Sequence, residues 1–249
     1  MHRFRLGIEG GWTPFSGKTN KPDMIRESRS YYYYDDDQDN IYYCGFITGK
    51  PSFNIFYFGI KPEYFFSNRL SISTGIRLSF NKVKMDSDRD FFLWRVSEDE
   101  TSSNYVRINS ISQKNRHIEL NTKVRFFPGK RNFWIRHYYV LGNTMNFLVT
   151  SSNKASFHNP EMNHYSATVL KQIGKPSSVM GYTYVGLGLN IGSITRSFGN
   201  IEFQFPAIIH GSENINSLVT KGQRMSFFRM LATLQIPIAF RHQLIDIAK

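Results

Sequence analysis

Cysteine is nearly absent from this sequence, which has one in 249 residues. A single thiol excludes an internal disulfide framework and a multi-thiolate metal site. The chain also lacks an uninterrupted apolar run of about 18 residues, and its mean hydropathy is -0.38, so it has no transmembrane helix. Acidic residues are scarce, with 19 Asp and Glu against 31 Lys and Arg and a net charge of +12. With 41% hydrophobic and 16% aromatic residues, the composition is too apolar for a disordered chain.

Alternation of apolar and polar residues is the main pattern. In segment 70–82, Leu70, Ile72 and Ile76 share one face, while Ser71 and Arg77 lie on the other. Seven other segments alternate in the same way. The eight predicted strands are 4–12, 56–61, 70–82, 117–127, 133–147, 182–191, 201–210 and 229–240. Each is about long enough to cross a bilayer at a tilt.

The connections between these strands alternate in length. Tight turns are predicted at 66–69, 128–132 and 195–199, and long polar loops at 14–51, 85–115, 151–177 and 211–224. Short turns on one rim and long loops on the other are typical of outer-membrane barrels. An even strand number puts both ends of the chain on the short-turn, periplasmic rim.

The polar face mixes glycines with charged residues, which suits the narrow interior of an eight-stranded barrel. We therefore predict that this face lines the lumen and forms a charge network of Arg5, Glu9, Lys61, Arg77, Glu119, Lys123, Arg125, Arg136 and Glu202. Aromatic residues near strand ends are typical of interfacial girdles. The predicted girdle residues are Trp12, Tyr64, Phe65, Phe66, Phe126, Phe127, Phe133, Trp134, Tyr138 and Tyr139.

The predicted fold is all-β. Residues 1–249 form one domain, an eight-stranded antiparallel transmembrane β-barrel with up-and-down topology and long extracellular loops, and 240–249 form a short periplasmic tail. A soluble barrel, with its apolar face inside, is the alternative. Ten strands would result if 41–48 and 91–98 also paired within the membrane.

Three stretches carry a family resemblance: GIKPEYFFSNRLSISTGIRLSF (59–80), IELNTKVRFFPGKRNFWIRHYYVLGNTMNFLV (118–149) and YVGLGLNIG (184–192). They resemble the outer-membrane β-barrel proteins of Bacteroidota, the group of PorT-like and small OmpA-type barrels. The resemblance implies an outer-membrane location. The start, MHRFRLGIEGGW, lacks the apolar stretch of a secretory signal, so we expect that the signal peptide has been removed.

The tract 31–40, YYYYDDDQDN, is the most unusual local feature. Asp35, Asp37 and Asp39 have the alternate spacing of calcium loops, but the glycine and the distal glutamate of an EF-hand are missing, so they are a weak calcium candidate. A solvated acidic loop is the simpler interpretation. Six tyrosines in and beside the tract are predicted to contact a partner protein: Tyr31, Tyr32, Tyr33, Tyr34, Tyr42 and Tyr43. Cys44 is interpreted as an unpaired thiol.

The excess positive charge on the loops predicts contact with the phosphates of outer-membrane lipid and lipopolysaccharide. Nucleic acid is not expected as a partner, because the cations are scattered and no nucleic-acid motif is present. The loop cations are Lys18, Lys21, Arg26, Arg29, Arg89, Arg95, Arg107, Lys114, Arg116, Lys154, Lys171, Lys175, Lys221 and Arg224.

Function follows less directly from the sequence. No catalytic constellation, metal site or cofactor is expected, although His117, His137, His158, His164 and His210 are candidates if the chain is a lipid A-modifying enzyme. The leading prediction is a non-catalytic scaffold or accessory subunit of a larger outer-membrane complex for secretion, outer-membrane protein assembly or nutrient uptake. The enzyme is the main alternative, and a small pore is the third.

Overall fold

Alternating sequence forms nine antiparallel strands in the computed structural model, which describes residues 4–16, 25, 52–87, 91–96, 104–128, 134–192, 197–211 and 229–237. The strands are β1 (Phe4–Ser16), β2 (Ser52–Phe65), β3 (Leu70–Asp86), β4 (Phe92–Arg95), β5 (Tyr105–Phe126), β6 (Ile135–Phe157), β7 (Val179–Gly192), β8 (Ser197–Gly211) and β9 (Arg229–Pro237). A 3-10 helix (Pro160–Tyr165) and α1 (Ser166–Ile173) follow β6.

Eight of these strands close into a ring, which confirms the predicted eight-stranded antiparallel barrel. Each strand pairs with its chain neighbours, and β1 pairs with β9, with Ile8 opposite Leu234. The remaining junction joins β3 to β5 along the full length of β3, from Leu70 opposite Phe126 to Asp86 opposite Ser110. The ring therefore has no unpaired edge among the described strands.

The ring leaves no place for a ninth or tenth spanning strand. β4 pairs with residues 105–108 of β5, beyond the last β3–β5 pair, and its Trp94 forms an isolated bridge with Ile25. The described part of segment 91–98 therefore does not cross with the others. Segment 41–48 lies outside the described residues. Because β1 and β2 pair directly over 13 positions, no strand stands between them.

Two predicted loops are partly wrong. Residues 105–115 and 151–157 continue β5 and β6 as strand, and 85–115 also contains β4. The turn at 66–69 is present, where Ser67 Oγ accepts hydrogen bonds from the backbone N–H groups of Arg69 and Leu70, both at 3.1 Å. The turn predicted at 128–132 lies outside the described residues except for Pro128. The turn predicted at 195–199 extends too far, because β8 already begins at Ser197.

The apolar face points outward around the ring. Ile76, Leu141 and Leu187 are each more than half exposed, while their strand neighbours are buried. On β3 this apolar face extends from Leu70 to Phe80, which at about 3.4 Å per residue and a strand tilt near 40° is a belt about 25 Å tall. That height matches the apolar band of an outer-membrane barrel. Among the described helices, none is long and apolar enough to cross a membrane.

Three predicted girdle residues are not on the exterior. Phe65, Phe127 and Tyr138 are at most 2% exposed, and they pack together in the lumen at the short-turn end. Each buried phenylalanine is next to an exposed aromatic residue in the sequence. Phe65 lies between Tyr64 and Phe66, and Phe127 follows Phe126. The remaining girdle residues that the structure describes are exposed: Trp12, Tyr64, Phe66, Phe126, Trp134 and Tyr139.

At the loop rim the polarity of the barrel wall is reversed. Above the belt, β5 buries Val106, Ile108 and Ile111 and turns polar residues outward. These side chains pack with Trp94 of β4 and Val169 of α1 in one hydrophobic cluster. We call this unit, made of β4, the upper ends of β5 and β6, the 3-10 helix and α1, the cap.

Candidate functional site

The lumen is the first candidate site, because ionisable side chains line it. All nine predicted network residues are buried in the interior, each at most 3% exposed. The structure adds Glu63, which sequence reasoning missed because strand two was ended at Lys61. Glu63 has the same strand parity as Lys61, and this was the available signal. Within the described residues, the interior holds six lysines and arginines and four glutamates.

Seven of these groups form one continuous chain of ion pairs. At one end, Arg77 lies between Glu9 and Glu119, with 3.6 Å from Arg77 Nη1 to Glu119 Oε2. Lys123 Nζ lies 3.7 Å from Glu9 Oε2 and 2.8 Å from Glu202 Oε1. The chain therefore links β1, β3, β5 and β8 across the lumen.

Glu202 is the most connected member of this chain. Its Oε2 accepts hydrogen bonds from Arg125 Nη2 at 2.7 Å and Tyr138 Oη at 3.0 Å, and its Oε1 accepts one from Gln204 Nε2 at 2.6 Å. Arg125 continues to Glu63, with 3.2 Å from Nη1 to Oε2. A buried carboxylate with four donors is held in a single geometry.

The other three lumen cations are stabilised differently. Arg5 lies over the Phe65 ring, with 4.5 Å from Cζ to the ring centre, and Arg136 lies over Phe127 at 4.7 Å. Cation–π contacts of this kind are favourable in desolvated sites. Lys61 Nζ lies 3.5 Å from Thr233 Oγ1. The aromatic rings therefore close the short-turn end of the lumen around two guanidinium groups.

Tyrosines fill the lumen beside cross-strand glycines. Tyr138 is directly opposite Gly188, and Tyr184 is directly opposite Gly142. A Cβ on Gly188 would lie 2.1 Å from the Tyr138 ring, and one on Gly142 would lie 2.5 Å from the Tyr184 ring. The glycines are required because each ring lies flat against the opposing backbone. Sequence reasoning predicted small residues in the lumen but not the rings that cover them.

The cap is the second candidate site. Trp94 is fully buried and its Nε1 donates a hydrogen bond to Gln172 Oε1 of α1 at 2.8 Å. Asn153 Nδ2 donates to the carbonyl of Gly174, the residue that ends α1 with a φ of 77°. The cap cluster also includes Tyr57 and Leu231, which line the upper lumen from β2 and β9. The cap therefore fixes a folded surface above the mouth of the barrel.

Several predicted residues lie outside the described part of the chain. They are the tyrosines Tyr31, Tyr32, Tyr33, Tyr34, Tyr42 and Tyr43, the carboxylates Asp35, Asp37 and Asp39, and Cys44. The partner-contact and calcium predictions for this tract stay predictions. Among the described residues, no group of three or more His, Cys, Asp or Glu side chains is placed to hold a metal ion.

The described histidines are dispersed. His117 lies in the lumen beside Asn81, with 3.3 Å between His117 Nδ1 and Asn81 Nδ2. His210 Nε2 lies 2.8 Å from Thr183 Oγ1 at an exposed position, and His164 Nδ1 lies 2.6 Å from the carbonyl of Glu161. His137 is exposed on β6 beside Tyr139, and His158 contacts Phe91. Among the contacts of the described residues, none joins two of these five histidines.

Comparison with known proteins adds little. No protein-family model and no curated protein matches the chain. Among solved structures, the chain is similar to the outer membrane protein OprG from Pseudomonas aeruginosa, with 12% identity, a TM-score of 0.35, and 94% of this chain and 96% of that chain covered. A likeness this low carries no argument about function, and the Bacteroidota family stays a prediction.

The geometry separates the barrel into three filled layers. Aromatic rings and guanidinium groups lie at the short-turn end, the ion-pair chain lies in the middle, and the apolar cap cluster lies at the loop end. An eight-stranded barrel has room for little more than its own side chains. The arrangement suits a rigid wall and a fixed upper surface better than a passage.

Proposed function

We propose that this chain is an outer-membrane β-barrel that acts as a non-catalytic scaffold, an accessory subunit that presents its cap and loops to a larger complex for secretion, outer-membrane protein assembly or nutrient uptake. Support for the membrane location comes from the apolar exterior belt and the buried charges inside it. A soluble barrel would expose about 25 Å of apolar wall to water, which is unfavourable over so large an area.

The single observation that supports a scaffold is the filled lumen beneath a structured cap. Ion pairs such as Lys123 with Glu202 cross the interior of a barrel that has room for little more than its own side chains, which disfavours an ion passage. At the same time Trp94, Val169 and Ile173 order the cap around an apolar core. A protein that only needed to be anchored would not require a folded upper surface. The cap therefore supports a contact role.

Co-purification is the first test. The tagged chain, extracted in mild detergent, should co-purify with an outer-membrane protein in a stoichiometric amount. In the reciprocal experiment, the tag on that partner should recover this chain. A photo-crosslinking residue at Lys171 of the cap should join to that partner, whereas one at Ile76 of the belt should not. An isolated monomer with no cap crosslink would contradict the proposal.

Two further measurements distinguish the alternatives. Conductance across a planar bilayer should stay at the baseline, and stable single-channel steps would favour the pore. Deletion of the gene should leave the lipid A mass spectrum unchanged. A changed spectrum that depends on His137 or His210 would favour the lipid A-modifying enzyme.

A further inference from the structure

A cluster of lysines lies on the outer wall of the barrel immediately above the apolar belt. On three adjacent strands, β3, β5 and β6, four exposed lysines surround a concavity of about 380 Å³. They are Lys82, Lys84, Lys114 and Lys154. The floor consists of the short side chains of Ser110, Ser112, Ser152 and Ser156. We call these eight residues the lysine patch.

The strand register defines the arrangement of the patch. Lys82 is directly opposite Lys114, and Lys114 is opposite Ser152; in the next row, Lys84 is opposite Ser112, and Ser112 is opposite Lys154. With strands about 4.8 Å apart and two residues advancing about 7 Å, the patch covers about 10 by 14 Å. This area is comparable to a phosphorylated sugar headgroup rather than to a protein interface.

Within the part of the chain that the structure describes, few acidic side chains balance the charges of the patch. Like charges directly opposite on neighbouring strands are destabilising, and Lys82 and Lys114 occupy such a pair. Lys84 Nζ forms an ion pair with Asp86 Oδ1 at 2.8 Å. An anion between the remaining lysines would remove the repulsion. Serine hydroxyls on the floor can donate hydrogen bonds to its oxygens.

The height of the patch identifies the anion. One row lower, Phe80 is opposite Arg116, and Phe80 ends the apolar belt on β3. At a strand tilt near 40°, Lys82 lies about 5 Å above Phe80, at the level of lipid headgroups. Because the long-loop rim of such barrels faces outward, this is the outer leaflet. Its phosphate-bearing lipid is a glycolipid of the lipid A type.

We propose that the lysine patch binds the phosphorylated headgroup of an outer-leaflet glycolipid, with the acyl chains against the belt below it. Lys82, Lys114 and Lys154 would contact the phosphate, and Arg116 would contact it from below. The inference depends on the membrane placement proposed above, but not on the scaffold role.

The test uses purified folded barrel in mild detergent, titrated with lipid A that carries two phosphates and followed by native mass spectrometry. The double variant Lys82→Gln, Lys114→Gln should bind about 30-fold more weakly, since each basic residue near a headgroup contributes about fivefold. The matched control for a single charge is Arg69→Gln, which removes one exposed cation at the short-turn rim and should bind like wild type. Lys154→Gln provides an independent variant with an expected fivefold loss.

Lipid A without phosphates should bind at least tenfold more weakly than the bis-phosphorylated lipid, and inorganic phosphate alone should bind far more weakly than either. The proposal would be overturned if the Lys82→Gln, Lys114→Gln variant and Lys154→Gln bound as tightly as Arg69→Gln, or if both lipids bound equally. Inorganic phosphate that binds as tightly as lipid A would show a simple anion site instead. If wild type fails to show heat-modifiable migration, the membrane placement has failed, which is a separate result.

Discussion

Replacement of Glu202 tests whether the ion-pair chain holds the barrel together. Glu202 is about 1% exposed and accepts hydrogen bonds from Lys123, Arg125, Tyr138 and Gln204. Glu202→Gln keeps the shape but removes the charge that both cations face. Removal of one member of a buried ion pair costs about 3–5 kcal/mol, because the remaining charge is left uncompensated. The change also increases the excess of positive charge in the lumen.

Urea unfolding of the barrel in lipid vesicles measures this loss as a change in the free energy of unfolding. Glu161→Gln in the cap is the matched control. Glu161 is exposed, so this substitution should change the free energy of unfolding by no more than about 0.5 kcal/mol. Lys123→Gln completes a double-mutant cycle. The double variant should lose less than the sum of the singles by about 1–3 kcal/mol, since its lumen regains the wild-type charge balance.

A loss below about 1 kcal/mol for Glu202→Gln, with no coupling to Lys123, would refute the reasoning. That result would mean that water screens the lumen charges as it does on a surface. The lumen would then be hydrated enough to conduct, and the scaffold proposal would lose its main support.

Three further substitutions probe other parts of the molecule. Gly188→Ala should cost about 1–3 kcal/mol in vesicle unfolding, because the new Cβ would meet the Tyr138 ring. Ile76→Lys places a charge in the middle of the belt and should cost about 2–4 kcal/mol in vesicles. Trp94→Ala removes a fully buried ring and should speed hydrogen exchange of α1 by about 100-fold or more, while the barrel strands keep their protection.

Each of these substitutions has a counterpart that should change little. Gly10→Ala has its nearest neighbour at 3.6 Å, an ordinary contact. Thr150→Lys lies at the edge of the belt, where a charge costs about 0–1 kcal/mol, and the like charge of Arg116 opposite it adds about 0.2–1 kcal/mol. Trp134→Ala removes a ring that is 68% exposed. If Ile76→Lys cost no more than Thr150→Lys, the exterior would face water and the chain would be a soluble barrel.

Most of the barrel could be predicted from the sequence because each strand of the ring has an apolar outer face and a polar inner face. In 70–80 and 118–126 every second residue is apolar except Thr74 and Thr122, so the two faces can be assigned directly. The charge network of the lumen could be predicted from the opposite, polar face. Glu63 was missed because the second predicted strand ended too early.

The cap could not be predicted in this way, since its strands do not have the apolar outer face that the rest of the ring has. In 105–115 the outward side chains meet water and the inward ones meet α1 and β4, whose positions depend on tertiary contacts. A break in register between Ile108 and Ser110 also shifts the alternation. Tyr138 was misplaced for a related reason. An aromatic residue near a strand end resembles a girdle residue unless its glycine partner across the sheet is known.

The change from the apolar belt to the lysine patch takes place within two residues of one continuous strand, from Phe80 to Lys82 on β3. In the membrane placement proposed above, a downward displacement of about 5 Å would bring the lysine patch into hydrocarbon, and an upward one would expose the aromatic edge to water. The barrel is therefore held at one depth of immersion. Where the hydrocarbon thickness differs from the belt, the lipid must deform to match the protein, because the paired strands cannot slide or shorten.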